Sequence, residues 1–183
     1  MLDPLILKLV SIGFGLLLLL AAVHKLTALQ KFRATLAAYE ILPGPLLALV
    51  SIIIPVIEAV LGAAWLLAIQ PVIVALASAI LLASYTFAIA INLARGRIHI
   101  DCGCTMGGSA SRDQQLSWGL VGRNSLLIIA ALTATVPVTE RAIGFVDYVT
   151  LVAGLLAIVF LYGAANQLLN NGAAIGTWRN RHD

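Results

Sequence analysis

Hydrocarbon runs too long for a soluble fold constrain this chain more than any other feature. A bilayer core about 30 Å thick needs about 20 apolar residues in a helix to cross it. Only a helix or a closed barrel satisfies every backbone polar group inside lipid. Residues 5 to 28, 46 to 69, 72 to 94 and 146 to 169 each meet that length, and a shorter run at 120 to 138 begins beside Arg123 and Asn124. With 61% of its residues hydrophobic and only 10% charged, the chain falls outside the soluble globular class. The expected architecture is an all-α, multi-pass integral membrane protein, a single domain over residues 1–183 with five transmembrane helices, or four if the run at 120 to 138 stays out of the bilayer. The first run carries Asp3 ahead of it and ends in His24 and Lys25. No small-residue cleavage site with a polar start follows, so it reads as an uncleaved span rather than a secretory signal.

Turn residues mark the boundaries. Pro43, Gly44 and Pro45 precede the second span, Gln70 and Pro71 separate the second from the third, and Pro137 closes the fourth. The short 70 to 71 turn makes the second and third spans antiparallel neighbours. Residues 29 to 41, LQKFRATLAAYEI, read as a short interfacial helix with Leu29, Phe32, Leu36 and Tyr39 on one face and Lys31 and Arg33 off it. Five spans place the N-terminus, the 70 to 71 turn and the 138 to 145 loop on one side of the membrane. The 29 to 45 loop, the 95 to 117 loop and the C-terminal tail lie on the other. Lysine and arginine are concentrated on that second side, and the positive-inside rule makes it cytoplasmic. The basic residues are scattered among span ends and form no patch, so no nucleic-acid partner is expected, only the lipid membrane.

The chain's two cysteines, Cys102 and Cys104, stand one glycine apart in the 95 to 117 loop. Two thiols are too few for a disulfide framework or an iron-sulfur cluster, which takes about four protein ligands, but they suffice for one reversible bond. A disulfide closed across one residue is a small strained ring, and strain makes it reducible. Gly103 tolerates the backbone such a ring demands. Arg95, Arg97 and His99 just upstream are placed to stabilise a thiolate. Two other readings stay open: a structural pair of small buried residues, and a metal site in which His99 and His24 join the thiolates, against which zinc's tighter ligand spacing argues.

Glu58 falls inside the second span, one turn after Pro55. A carboxylate there costs roughly 2.5 to 3.5 kcal/mol on insertion scales, so it needs a partner or a proton. Lys25, His24 and Arg123 are the candidates, in either a structural ion pair or a proton-transfer or ligand site. Ser78, Tyr85 and Asn92 share one face of the third span at heptad spacing. That face suits helix-to-helix hydrogen bonding, with a quinone or peptide pocket beneath residues 95 to 104 as the alternative.

Several stretches together carry a resemblance: VHK at 23 to 25, YEILP at 39 to 43, the Pro55, Glu58 and Gly62 pattern, Asn92 with the Arg-Gly at 95 to 96, DCGC at 101 to 104, and GRN at 122 to 124. In order and spacing they resemble the MauE family of methylamine-utilisation proteins, a branch of the DoxX-like redox-associated membrane proteins. Thr105 and Met106 stand here where many relatives have Phe-Gly. The resemblance implies a bacterial inner-membrane protein that acts in the processing, transport or maturation of the methylamine dehydrogenase beta subunit. That client is periplasmic, rich in disulfides and carries a tryptophan-derived quinone. The resemblance also implies a thioredoxin-like partner, MauD. A periplasmic client sets the cysteine loop on the side opposite to that given by the charge count.

The mechanism these readings converge on is thiol-disulfide exchange through Cys102 and Cys104. Arg95, Arg97 and His99 tune the thiols, and Lys25, His24, Glu58, Arg123 and Asn124 form a polar site beneath. Two alternatives belong to other classes. One is a transporter or assembly scaffold in which the cysteines are dispensable. The other is a quinone-linked thiol oxidase of the DsbB kind, with a quinone as its cofactor.

Overall fold

In a computed structural model, residues 2–97, 116–139 and 141–179 are described. They form six α-helices: α1 (Pro4–Thr27), α2 (Leu29–Ala38), α3 (Gly44–Leu66), α4 (Pro71–Ala94), α5 (Trp118–Leu132) and α6 (Phe145–Arg179), with a 3-10 turn, Thr133–Thr135, closing α5. Five segments are long and apolar enough to cross a membrane: α1, α3, α4, Trp118–Thr135 and Phe145–Ala165. The chain is an all-α, multi-pass membrane protein. Among the described residues the only β pairing is a single bridge between Leu2 and Val138.

Local chemistry explains most boundaries. Asp3 caps α1 by accepting a hydrogen bond from the Leu5 amide at 2.8 Å, and Pro4 follows at the position where its missing N–H costs nothing. Proline opens α3 and α4 in the same way. The turn between those two helices is tight enough to force Ala68 and Gln70 into left-handed backbone, at φ 52° and 45°. The last helix continues to Arg179, past the expected end near residue 169. It meets no proline there, and a helix that satisfies its own backbone does not have to stop at the edge of the lipid.

α1 and α3 form the most extensively packed pair, and α4 packs mainly on α5. Two glycines allow the first approach. A Cβ on Gly62 would come within 2.9 Å of Leu19 Cγ and 3.1 Å of the Gly15 carbonyl oxygen, and one on Gly15 within 2.5 Å of Leu66. In a membrane, where hydrophobicity drives nothing between helices, such close backbone contact supplies the association energy. Phe14 stacks on Trp65 at 5.5 Å, and Leu18, Val74, Ala75, Leu82, Ala131 and Ala134 complete the main core. α3 and α4 are tied by the Trp65 indole, which donates to Ser78 Oγ at 2.9 Å. α6 lies outermost, with none of its span buried.

The bridge at Leu2 fixes the topology. The Leu2 amide donates to the Pro137 carbonyl and the Thr139 amide to the Leu2 carbonyl, each at 2.9 Å, which puts the N-terminus and the α5–α6 connection at the same end of the bundle. Arg141 reinforces that end by pairing with Asp3 at 3.3 Å and Asp147 at 2.8 Å.

The α1–α3 register also leaves a gap to be filled. Gly15 lies against Gly62 and Lys25 against Glu58, so α3 extends about 20 Å towards its own N-terminus beyond the point where α1 is ending. α2 packs against α3 there, burying Phe32, Thr35 and Tyr39 and exposing Lys31 and Arg33. That is the face expected from its sequence.

Candidate functional site

Ionisable residues of three spans, α1, α3 and α5, converge below this corner. Lys25 occupies the last turn of α1, where the helix dipole favours a cation, and is only 4% exposed. Glu58, 1% exposed, faces it from α3 and forms a salt bridge with it. The Tyr85 hydroxyl, from α4, donates to the same carboxylate oxygen at 2.8 Å. The ammonium lies 4.8 Å from the Tyr85 ring centroid and 5.4 Å from that of Phe32, so two aromatic faces add cation–π attraction in a dry setting. A buried charge needs this degree of compensation, since the desolvation of either ion alone exceeds what a single contact returns.

The other oxygen of Glu58, Oε2, is buried without a hydrogen-bond partner among the described residues. Glu58 lines a cavity of about 60 Å³ with His24, Lys25, Arg123, Asn124 and Tyr162. A space of this size, with several polar walls, admits a small number of waters. Arg123 enters from α5 with its guanidinium 5.6 Å from the Tyr162 ring and donates to Asn124 Oδ1 at 3.3 Å. The helices therefore bring together five of the residues singled out in the sequence: His24, Lys25, Glu58, Arg123 and Asn124. Chemically, the arrangement offers a buried carboxylate with one oxygen held by two donors and the other without a partner among the described residues, next to a small cavity whose remaining wall is Leu17, Leu18, Ala21, Leu82 and Leu127.

A second cavity, about 270 Å³, lies on the other side of Lys25 and Tyr85. Its walls are Phe32, Thr35 and Leu36 of α2, Tyr39, Ile41 and Leu42 beyond it, Val50 and Ile54 of α3, and Ser84, Ala88 and Ile89 of α4. It is the space between α2 and the part of α3 that α1 does not reach.

Cys102, Cys104 and His99 lie outside the described residues. Both neighbours of that segment are anchored at this corner. Arg97 pairs with Glu40 at 2.6 Å, and Leu116 is buried with Tyr39, Ile89 and Leu120. The Arg97 guanidinium holds the Glu40 carboxyl below its ordinary value, and Glu40 raises Arg97 in turn. Arg97 is thus engaged with Glu40, while Arg95 caps α4 and is exposed.

Sequence reasoning missed four partners. Tyr85 was placed on the right face of the third span, but nothing in its spacing named Glu58 as its acceptor. Phe32 read as an apolar contact of an interfacial helix, and its closeness to Lys25 depends on the break at Ala28. Glu40 stood inside the YEILP stretch with nothing to name Arg97 as its partner, and Tyr162 carried no signal. Of the Ser78, Tyr85 and Asn92 face, Ser78 and Tyr85 do bond to neighbouring helices. Asn92 Nδ2 instead donates to the Ala88 carbonyl of its own helix, at 3.0 Å, leaving Oδ1 buried without a partner.

The family profile described as "Methylamine utilisation protein MauE" matches residues 3–137. The methylamine utilization protein MauE of Paracoccus denitrificans is 33% identical over 96% of this chain and 97% of its own. Those of Methylophilus methylotrophus and Methylorubrum extorquens are 31% and 32% identical, over 91% and 89% of this chain and 87% of theirs in each case. No solved structure matches. On both the family profile and relatives that align over nearly the whole chain, this five-span protein belongs to the MauE family of methylamine utilisation proteins.

Proposed function

We propose that this protein serves methylamine utilisation as an inner-membrane thiol-disulfide exchange partner in the maturation of the methylamine dehydrogenase beta subunit. Cys102 and Cys104 carry the chemistry. A thiolate of one attacks a disulfide of the partner, releasing one partner thiolate and forming a mixed disulfide. The second cysteine then displaces the other partner sulfur, so that the electron pair leaves with the partner and the Cys102–Cys104 disulfide closes. Run backwards, the same steps oxidise a client dithiol. The thioredoxin-like MauD is the proposed immediate partner, and the cysteine loop faces the periplasm, where the client resides.

The observation that carries this reading is the isolation of the pair: the chain's only two cysteines, a glycine apart, in a segment flanked by Arg97, which pairs with Glu40, and by Leu116, which is buried against Tyr39 and Ile89. The deciding experiment replaces both, as Cys102→Ser with Cys104→Ser, and follows the disulfide state and the yield of the beta subunit in cells growing on methylamine. Loss of oxidised, assembled subunit is expected while the variant still inserts in the membrane. Normal maturation would overturn the redox reading and leave the protein a scaffold or transporter.

A further inference from the structure

We infer that the 270 Å³ cavity between α2, α3 and α4 binds the head group of a lipid-soluble quinone, with Lys25 as the hydrogen-bond donor to a quinone carbonyl. Three features select this chemistry. The walls are apolar apart from Thr35, Ser84 and the polar end at Lys25 and Tyr85, and they include the rings of Phe32 and Tyr39, which suits a flat conjugated ring. Ile41, on its wall, is 41% exposed, so the cavity is not sealed from its surroundings and an apolar tail has a way out. The volume falls just below the range of about 300 to 1,000 Å³ typical of small-molecule sites, as it should if only the head is enclosed.

Charge then separates a quinone from the other amphipathic molecules of a membrane. An ammonium has three donors, and among the described residues Lys25 uses one on Glu58. The Glu58 carboxylate already balances the ammonium charge, so a fatty-acid or phosphate anion arriving here would leave the site with an unmatched negative charge in low dielectric. A neutral carbonyl acceptor takes the remaining donors at no such cost. On the opposite side of Lys25, Glu58 borders the 60 Å³ hydratable cavity with an unpartnered oxygen. The role of the quinone rests on the thiol reading in its client-oxidising direction: a client dithiol first reduces the Cys102–Cys104 disulfide, and re-closing that disulfide passes two electrons and two protons to the quinone, which becomes its quinol.

The test is binding, which does not depend on that chemistry. Decylubiquinone is titrated into the purified full chain in detergent micelles, with tryptophan quenching as the readout and decanoic acid as the competitor. Saturable binding is expected, unaffected by excess decanoic acid. It should weaken at least tenfold in Ala88→Phe, which fills the cavity, and in Ser84→Phe, which narrows it from α4, with thermal melting confirming that each is folded. The paired variant Lys25→Met/Glu58→Leu, which removes the donor without stranding a charge, should weaken binding about tenfold or more. Cys102→Ser/Cys104→Ser should bind as the wild type does, so failure of the thiol reading leaves this result standing. Equal binding by wild type and both filled variants, or displacement by decanoic acid, would overturn the proposal and mark the cavity as an acyl-chain site.

Discussion

Replacing Glu58 with leucine tests the buried pair on which the site is built. The substitution keeps the bulk in α3 but leaves the Lys25 ammonium, 4% exposed, with two aromatic faces and no counter-charge, and removes the acceptor of the Tyr85 hydroxyl. Breaking a buried pair from one side costs about 3 to 5 kcal/mol, a factor of about 150 to several thousand in the folding equilibrium. The lost Tyr85 bond adds up to about 1 kcal/mol. Lys25→Met strands the carboxylate instead and should cost a similar amount, less whatever the retained Tyr85 bond returns. The double variant leaves no stranded charge. Apolar replacement of a whole buried pair is often neutral, so its loss should fall within about 1 kcal/mol of zero.

Reversible unfolding of the four proteins by SDS titration in mixed micelles gives the double-mutant cycle directly. A coupling energy of about 3 kcal/mol or more is expected between positions 25 and 58, far above the few tenths seen for independent sites. Singles that each lose under 1 kcal/mol, or a double variant that loses the sum of the two, would refute the account of the pair as mutually compensating charges.

Other consequences are as direct. Gly62→Ala should destabilise by about 1 to 3 kcal/mol in the same assay, because its new methyl meets Leu19 and the Gly15 carbonyl, whereas Gly13→Ala, with nothing within 4 Å, should be neutral or better. Trp65→Phe should cost about 1 kcal/mol through the lost bond to Ser78, with the stacking on Phe14 kept. Because the folded Glu40 carboxyl is held below its usual 4.5, its pairing with Arg97 stabilises fully above that value and is lost as pH falls through the lower folded value. The Tm difference between wild type and Glu40→Gln should therefore be present at pH 6, vanish in acid, and shrink with added salt. In intact cells, a membrane-impermeant maleimide should label Cys102 and Cys104 only after mild reduction. Labelling that requires a permeabilised inner membrane would place the loop in the cytoplasm.

The spans were legible because their signal is one of length and apolarity, which lipid imposes on each helix separately. Even the weakest, begun at 120 in the sequence and at Trp118 in the structure, emerged as a helix. The buried pair was half legible. An acidic residue inside an apolar run demands compensation, so Glu58 stood out and Lys25 was among its candidate partners. Which candidate wins depends on the antiparallel register of α1 and α3, set by Gly15 and Gly62, and no local pattern states that register. The larger cavity was less legible still, since it exists only because α1 stops against the middle of α3 and α2 turns aside at Ala28.

That same offset discounts part of the charge count that bears on the orientation of this chain. The positive-inside rule weighs lysines and arginines that remain at the membrane surface. Lys25 is inside the bundle against Glu58, and Arg123 lies over Tyr162 beside the hydratable cavity. Both are placed by packing rather than by the membrane potential or the insertion machinery. Arg97 pairs with the exposed Glu40 at the surface and stays in the count. Setting Lys25 and Arg123 aside lowers the count on that side without reversing it. Which side carries the cysteine pair is read by the labelling experiment without reference to charge.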